Sequence, residues 1–172
     1  MSEPHFSFAD LNDVEAIAAL TERAYRGDTA AKGWTNESAI LSGARSSPAE
    51  VEALVCDPES RFLLVRHGDR LVGSALLQRH GAGAYFGMFA VDPEHQGIGL
   101  GKAMMAQAET AVRELWQARY LKLTVISLRH ELIAWYERRG FVLTGTREPF
   151  PFDLATGAFR TDFDLVVLQK PL

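Results

Sequence analysis

The 172-residue chain is 47% hydrophobic and 23% charged, a balance that fits one soluble domain over residues 1–172 with a sizeable core. Eighteen basic residues against 22 acidic ones give a net charge of -4, which disfavours nucleic acid or an anionic membrane as a partner. The single cysteine allows no internal disulfide, the opening MSEPHFSFAD has no leader pattern, and no apolar run nears the ~18 residues of a membrane span. A cytoplasmic protein is expected, with Cys56 as a small buried hydrophobe.

In chain order, His5 to Phe8 alternates as a short strand, and Asp10 caps a helix whose apolar positions Leu11, Val14, Ile17, Ala18 and Tyr25 recur at helical spacing, with Gly27 ending it. Two short helical runs follow, one after Thr35 or Asn36 and one after Ser47-Pro48. From Arg61 the period becomes that of strands: RFLLVRH, a turn at Gly68-Asp69, RLVGSALLQ, and then AYFGMFAV, an antiparallel meander whose last strand is apolar on both faces. The helix after Gly101 carries Met104, Ala108, Ala111, Val112 and Leu115 on one stripe, with Glu109 and Arg113 paired on the exposed side. Tyr120 to Ile126 reads as a strand parallel to the one before that helix, because a strand-helix-strand crossover joins them. A helix over Arg129 to Arg139 ends at Gly140, and Phe141 to Thr144 and Asp162 to Leu168 supply closing strands around the excursion EPFPFDLATGAF.

The stretch from Ala84 to Ala106 organises the rest. An uncharged strand, a turn at Asp92-Pro93, a loop with Gly97, Gly99 and Gly101, and a helix start bring free backbone amides and a positive helix end to one place, which suits a phosphate-bearing ligand. Gln96-Gly97-Ile98-Gly99-Leu100-Gly101-Lys102 lacks the Gly-Lys-Ser/Thr of a nucleotide-triphosphate loop and the G-x-G-x-x-G spacing of a dinucleotide fingerprint.

The spacing Gln-x-x-Gly-x-Gly after an apolar strand ending Val-Asp-Pro resembles the acetyl-coenzyme A motif of GNAT N-acetyltransferases. Ala134 to Phe141, AWYERRGF, is similar to the family's second hallmark, a helix tyrosine followed by Gly-Phe. The resemblance implies an α+β fold, a mixed and mostly antiparallel sheet of about seven strands flanked by helices, with splayed central strands. It also implies acetyl-CoA as co-substrate, no metal, and direct transfer to a primary amine. Gln96, Gly97, Ile98, Gly99, Gly101 and Lys102 would face the pyrophosphate, backbone groups of Met88, Phe89 and Val91 would bind the pantetheine arm, and Tyr136 would serve the departing sulfur.

Two places depart from the family pattern. Gly87, Met88 and Phe89 stand where many members carry a strand glutamate, which leaves ordered water, Glu37, His80 or His130 as routes for the amine's proton. Arg129, seven residues before Tyr136, stands where an asparagine is common. For the acceptor, Tyr25 and Trp34 offer aromatic walls, while Arg26 and Arg45 could clamp a carboxylate, which points to a small molecule. A coenzyme-binding module without catalysis, or an enzyme acting on a protein N-terminus or lysine, are the alternatives. The apolar FPFDL and LVVLQKPL suggest edges that could pair two copies into a homodimer.

Overall fold

The structure, a computed structural model, describes residues 3–25, 46–150 and 162–172. Among the described residues, seven strands, numbered in chain order, form one sheet in the order β1-β2-β3-β4-β5-β7-β6. The first four, β1 (His5–Phe8), β2 (Ser60–His67), β3 (Arg70–His80) and β4 (Gly83–Val91), pair antiparallel as the expected meander. β5 (Tyr120–Ile126) lies parallel to β4, and β7 (Leu165–Pro171) is inserted antiparallel between β5 and β6 (Val142–Glu148). The mixed, mostly antiparallel sheet flanked by helices is the fold class implied by the resemblance.

Residues on β2 alternate between two cores, as a central strand requires. Leu63 and Val65 pack beneath α3 (Leu100–Trp116), while Phe62 and Leu64 pack against α1 (Val14–Tyr25) and α2 (Pro48–Cys56). Met104, Ala108, Ala111 and Val112 form the buried stripe of α3, joined by Leu132 and Tyr136 of α4 (His130–Glu137). Ser47 caps α2 by accepting from the Glu50 amide, with Pro48 in the first turn.

Several local expectations are corrected. Asp10 caps a 3-10 turn over Leu11–Asp13 rather than the α-helix itself, and Leu11 is exposed because that turn lifts it off the helix stripe. Glu109 does not pair with Arg113: its carboxylate accepts from Lys170 Nζ at 2.6 Å, an ion pair between α3 and β7 that local spacing cannot foresee. Cys56 is exposed, being the last residue of α2 with its side away from Val51, the buried position of that helix. The closing strands run Val142–Glu148 and Leu165–Pro171, each reaching further along the chain than expected. LVVLQKPL is no edge, since β7 is hydrogen-bonded to β5 on one side and β6 on the other. FPFDL lies mostly outside the described residues, as do Gly27 and the helical run after Thr35 or Asn36.

Candidate functional site

β4 carries the irregularity on which the site is built. Ser74 pairs with Ala90 and Leu76 with Gly87, so Met88 and Phe89 together face the single residue Ala75, and Met88 takes φ +44. This bulge bends the strand away from its neighbour. On the other side, the parallel ladder to β5 holds only Ala84–Leu121 and Tyr85–Lys122, after which β4 and β5 part. The backbone of β4 beyond Tyr85 thus borders a gap in the middle of the sheet.

Past Val91 the chain turns through a 3-10 turn, Pro93–His95, anchored by Asp92. Its side chain is 2% exposed; it accepts from the Glu94 amide at 3.0 Å and Arg70 at 2.9 Å, and Arg23 of α1 lies 3.5 Å away. Burial pushes this carboxyl up, but the Glu94 amide and the two guanidinium groups outweigh it and hold the group below the usual aspartate range.

Gly97 and Gly99 hold φ +83 and +82, a left-handed backbone that other residues adopt only with strain, and Gly99 is the N-cap of the 17-residue α3. Neither glycine has any neighbour within 4 Å of where a Cβ would stand, so both face open space. Gly101 differs: a Cβ there would meet Trp135 and Phe89 at ordinary contact distance, so this position faces the packed interior rather than open space. Gln96 donates its side-chain amide to the Val91 carbonyl at 3.1 Å, tying the loop back to the strand end. Ile98 and Lys102 are exposed on the loop and on the first turn of α3. Between the loop and α4 a cleft of about 460 Å³ is lined by Gly97, Glu131, Leu132, Ala134, Trp135 and Arg138. A helix N-terminus, two glycines opening onto space and an adjoining cleft form a cradle suited to an anionic ligand.

Tyr136 comes to the gap from the α4 side, 5% exposed, its ring edge-on to Trp135 at 5.1 Å and Phe141 at 5.6 Å. Burial pushes its phenol well above the ordinary tyrosine range; the nearby Tyr25 and Tyr85 push the same way, and Arg129 opposes them. Tyr25, the last residue of α1, donates its hydroxyl to the Phe89 carbonyl. Of the expected residues, Tyr25, Met88, Phe89 and Tyr136 are thereby brought together, with Arg129 beside them at the N-cap of α4. Arg26, Trp34, Arg45 and Glu37 lie outside the described residues.

Neither histidine named as a route for the proton stands at the gap. His80 lies at the far end of β3, paired with Gly83 and bonded through Nδ1 to the Tyr120 hydroxyl at 3.1 Å, and His130 is exposed at the start of α4. Sequence reasoning overlooked Tyr85, a polar-tipped residue in an apolar strand followed two positions later by a glycine, and also Glu131 and Arg138 in the cleft. The Tyr-x-Gly spacing was the available signal, since positions two apart share a face of a strand. Among the described residues no group of three or more His, Cys, Asp and Glu could hold a metal ion, and no helix is long and apolar enough to cross a membrane.

Comparison with known proteins agrees with the geometry. The profile of the Acetyltransferase (GNAT) family matches residues 20–141, from within α1 through the glycine loop to the residue after Gly140. Among solved structures, the fold is similar to that of the ribosomal-protein-S18-alanine N-acetyltransferase from Escherichia coli, with TM-score 0.73 and 18% identity over 98% of this chain and 94% of that one. It is similar to an N-acetyltransferase from Staphylococcus aureus Mu50, with TM-score 0.74 and 13% identity over 99% and 98%. A protein of Salmonella typhimurium described as an acetyltransferase, solved with its cofactor acetyl-CoA, shows TM-score 0.72 and 19% identity over 99% and 95%. No curated protein matches the chain. With the loop, the bulged strand and Tyr136 all inside the matched span, the chain belongs to the GNAT acetyltransferase family and is an acetyl-CoA-dependent acetyltransferase.

Proposed function

We propose that the enzyme transfers acetyl directly from acetyl-CoA to the primary amine of a small molecule, with Tyr136 as the acid for the departing sulfur. The observation that supports this best is a buried phenol at the gap between β4 and β5, held protonated by its surroundings. Amides from Gln96 to Lys102 hold the pyrophosphate, Lys102 adds a point charge, and the backbone of Met88, Phe89 and Val91 carries the pantetheine arm like an added strand. Acetyl-CoA supplies the acetyl group as a thioester. Tyr136 gives its hydroxyl proton to the thiolate, and a backbone amide of β4 meets the oxyanion. Tyr25 forms part of the wall on the acceptor side.

The tests are thermal melting with and without acetyl-CoA, and thiol release with a panel of spermidine, L-phenylalanine, kanamycin, and alanine-ended and lysine-bearing peptides. A rise in melting temperature and thiol release with a small amine are expected. Binding without release from any amine would favour a regulatory module. The peptides are included because the Escherichia coli enzyme of like fold is, by name, an S18-alanine N-acetyltransferase, and release with a peptide alone would shift the acceptor to protein.

A further inference from the structure

Resting on the acetyltransferase reading above, we propose that Tyr85 is the group that meets the acceptor amine and takes its proton. Ala84 and Phe86 belong to the core beneath α3, so the alternation of β4 turns Tyr85 and Gly87 to the opposite face, the face of α1. There the Tyr85 ring folds along its own strand over Gly87. A Cβ at position 87 would stand 2.6 Å from Tyr85 Cε1 and 3.3 Å from its hydroxyl oxygen. The first distance is shorter than any real Cβ contact, so this ring position and a side chain at 87 exclude each other. The phenol fills the space into which a residue at 87 would project.

That space is the gap. The β4–β5 ladder ends at Tyr85–Lys122, and from there the Tyr85 hydroxyl reaches across to Thr124 Oγ1 on β5, 3.4 Å away. Thr124 sits two residues beyond Lys122 and therefore on the same face. Tyr136 packs on the other side of the sheet, in the core beneath α3. A hydroxyl on each face, with the parted strands between them, gives one group for the nitrogen and one for the sulfur.

The chemistry suits a hydroxyl, which accepts from the nitrogen and donates its own proton onward in the same step, so that no charged form of the side chain has to persist. In the step, the amine enters as the neutral free base, its nitrogen forms a C–N bond to the acetyl carbon, and the C–S bond breaks. A nitrogen proton passes to Tyr85 Oη as the hydroxyl proton of Tyr85 passes to water; Tyr85 is only half-buried, so water reaches it. The sulfur takes the proton of Tyr136, which recovers one from water. One proton has left nitrogen, one has reached sulfur, and both tyrosines end as they began.

The experiment compares wild type, Y85F, G87A, Y85A and the double variant Y85A/G87E in thiol release with the panel amine that wild type turns over fastest, alongside the melting shift with acetyl-CoA. Y85F should lower kcat by about 100-fold, the lower range for a lost acid or base. Its acetyl-CoA shift should match wild type. G87A, whose methyl displaces the ring, should also lose rate while still binding acetyl-CoA. Y85A/G87E, with a carboxylate placed in the vacated space, should recover at least about 10-fold over Y85A. Y85F turning over at the wild-type rate overturns the proposal while leaving the acetyltransferase reading intact. So does a loss in Y85F matched by loss of the acetyl-CoA shift, which would mark a structural role. Absence of thiol release by wild type with every amine overturns both.

Discussion

The hydroxyl of Tyr25, at the end of α1, donates to the carbonyl of Phe89 at the bulge of β4, 64 residues further along the chain. Because Met88 and Phe89 face Ala75 together, the regular ladder to β3 is interrupted there, and the Tyr25 hydroxyl ties the bulge to α1. The N-terminal helix is in this way tied to β4.

Y25F removes that bond between α1 and β4. A loss of about 1–3 kcal/mol is expected, which in a domain of this size lowers the melting temperature by roughly 2–10 °C. Differential scanning calorimetry of Y25F against wild type measures it.

Tyr136 should separate chemistry from binding. Y136F keeps the ring packing against Trp135 and Phe141, so acetyl-CoA should still raise the melting temperature, while kcat falls by about 100-fold. Steady-state kinetics on the panel amine and thermal melting check the two halves.

The same residue predicts an alkaline effect on stability. Its folded pKa lies above the unfolded value of about 10, so the unfolded chain releases this proton first and stability falls as pH rises above about 10. Between pH 9 and 11 the melting temperature of wild type should drop more than that of Y136F, which lacks the proton.

Asp92 acts at the opposite end of the scale. Its folded pKa is depressed, so its contribution is present above the unfolded value of about 3.9 and is lost as pH falls through the folded one. D92A leaves the Glu94 amide and the Arg70 and Arg23 guanidinium groups without their buried acceptor. A loss of about 1–3 kcal/mol is expected at pH 7. Melting from pH 7 to 3 should show a smaller acid loss in D92A than in wild type.

In the glycine loop, G99A puts a methyl on a residue at φ +82, at a cost of about 1–2 kcal/mol for a left-handed alanine. That methyl points into open space in the protein alone, and under the proposed function it would stand where the pyrophosphate binds. The melting temperature without ligand should fall by a few degrees, and the shift with acetyl-CoA should shrink further, read by titrating acetyl-CoA in thermal melting.

The sequence by itself determined the local features: the meander from alternation, the glycine loop at a strand end, the amphipathic stripe of α3, and Tyr136 on a helix that ends before Gly140. Each depends on residues within a turn or two of one another, where period and backbone freedom are legible. Tertiary structure decided what distant segments do to each other. The insertion of β7 between β5 and β6 depends on hydrogen bonds between strands well separated along the chain, and it turned an apparent edge into an interior strand. Lys170 replaced Arg113 as the partner of Glu109 for the same reason. Above all, the bulge at Met88 shifts the alternation of β4 by one residue, and the Tyr85 ring lies over Gly87 on the face of α1. Reading the strand alone shows a glycine where a carboxylate was sought; the folded chain fills that space with a phenol bonded to the facing strand.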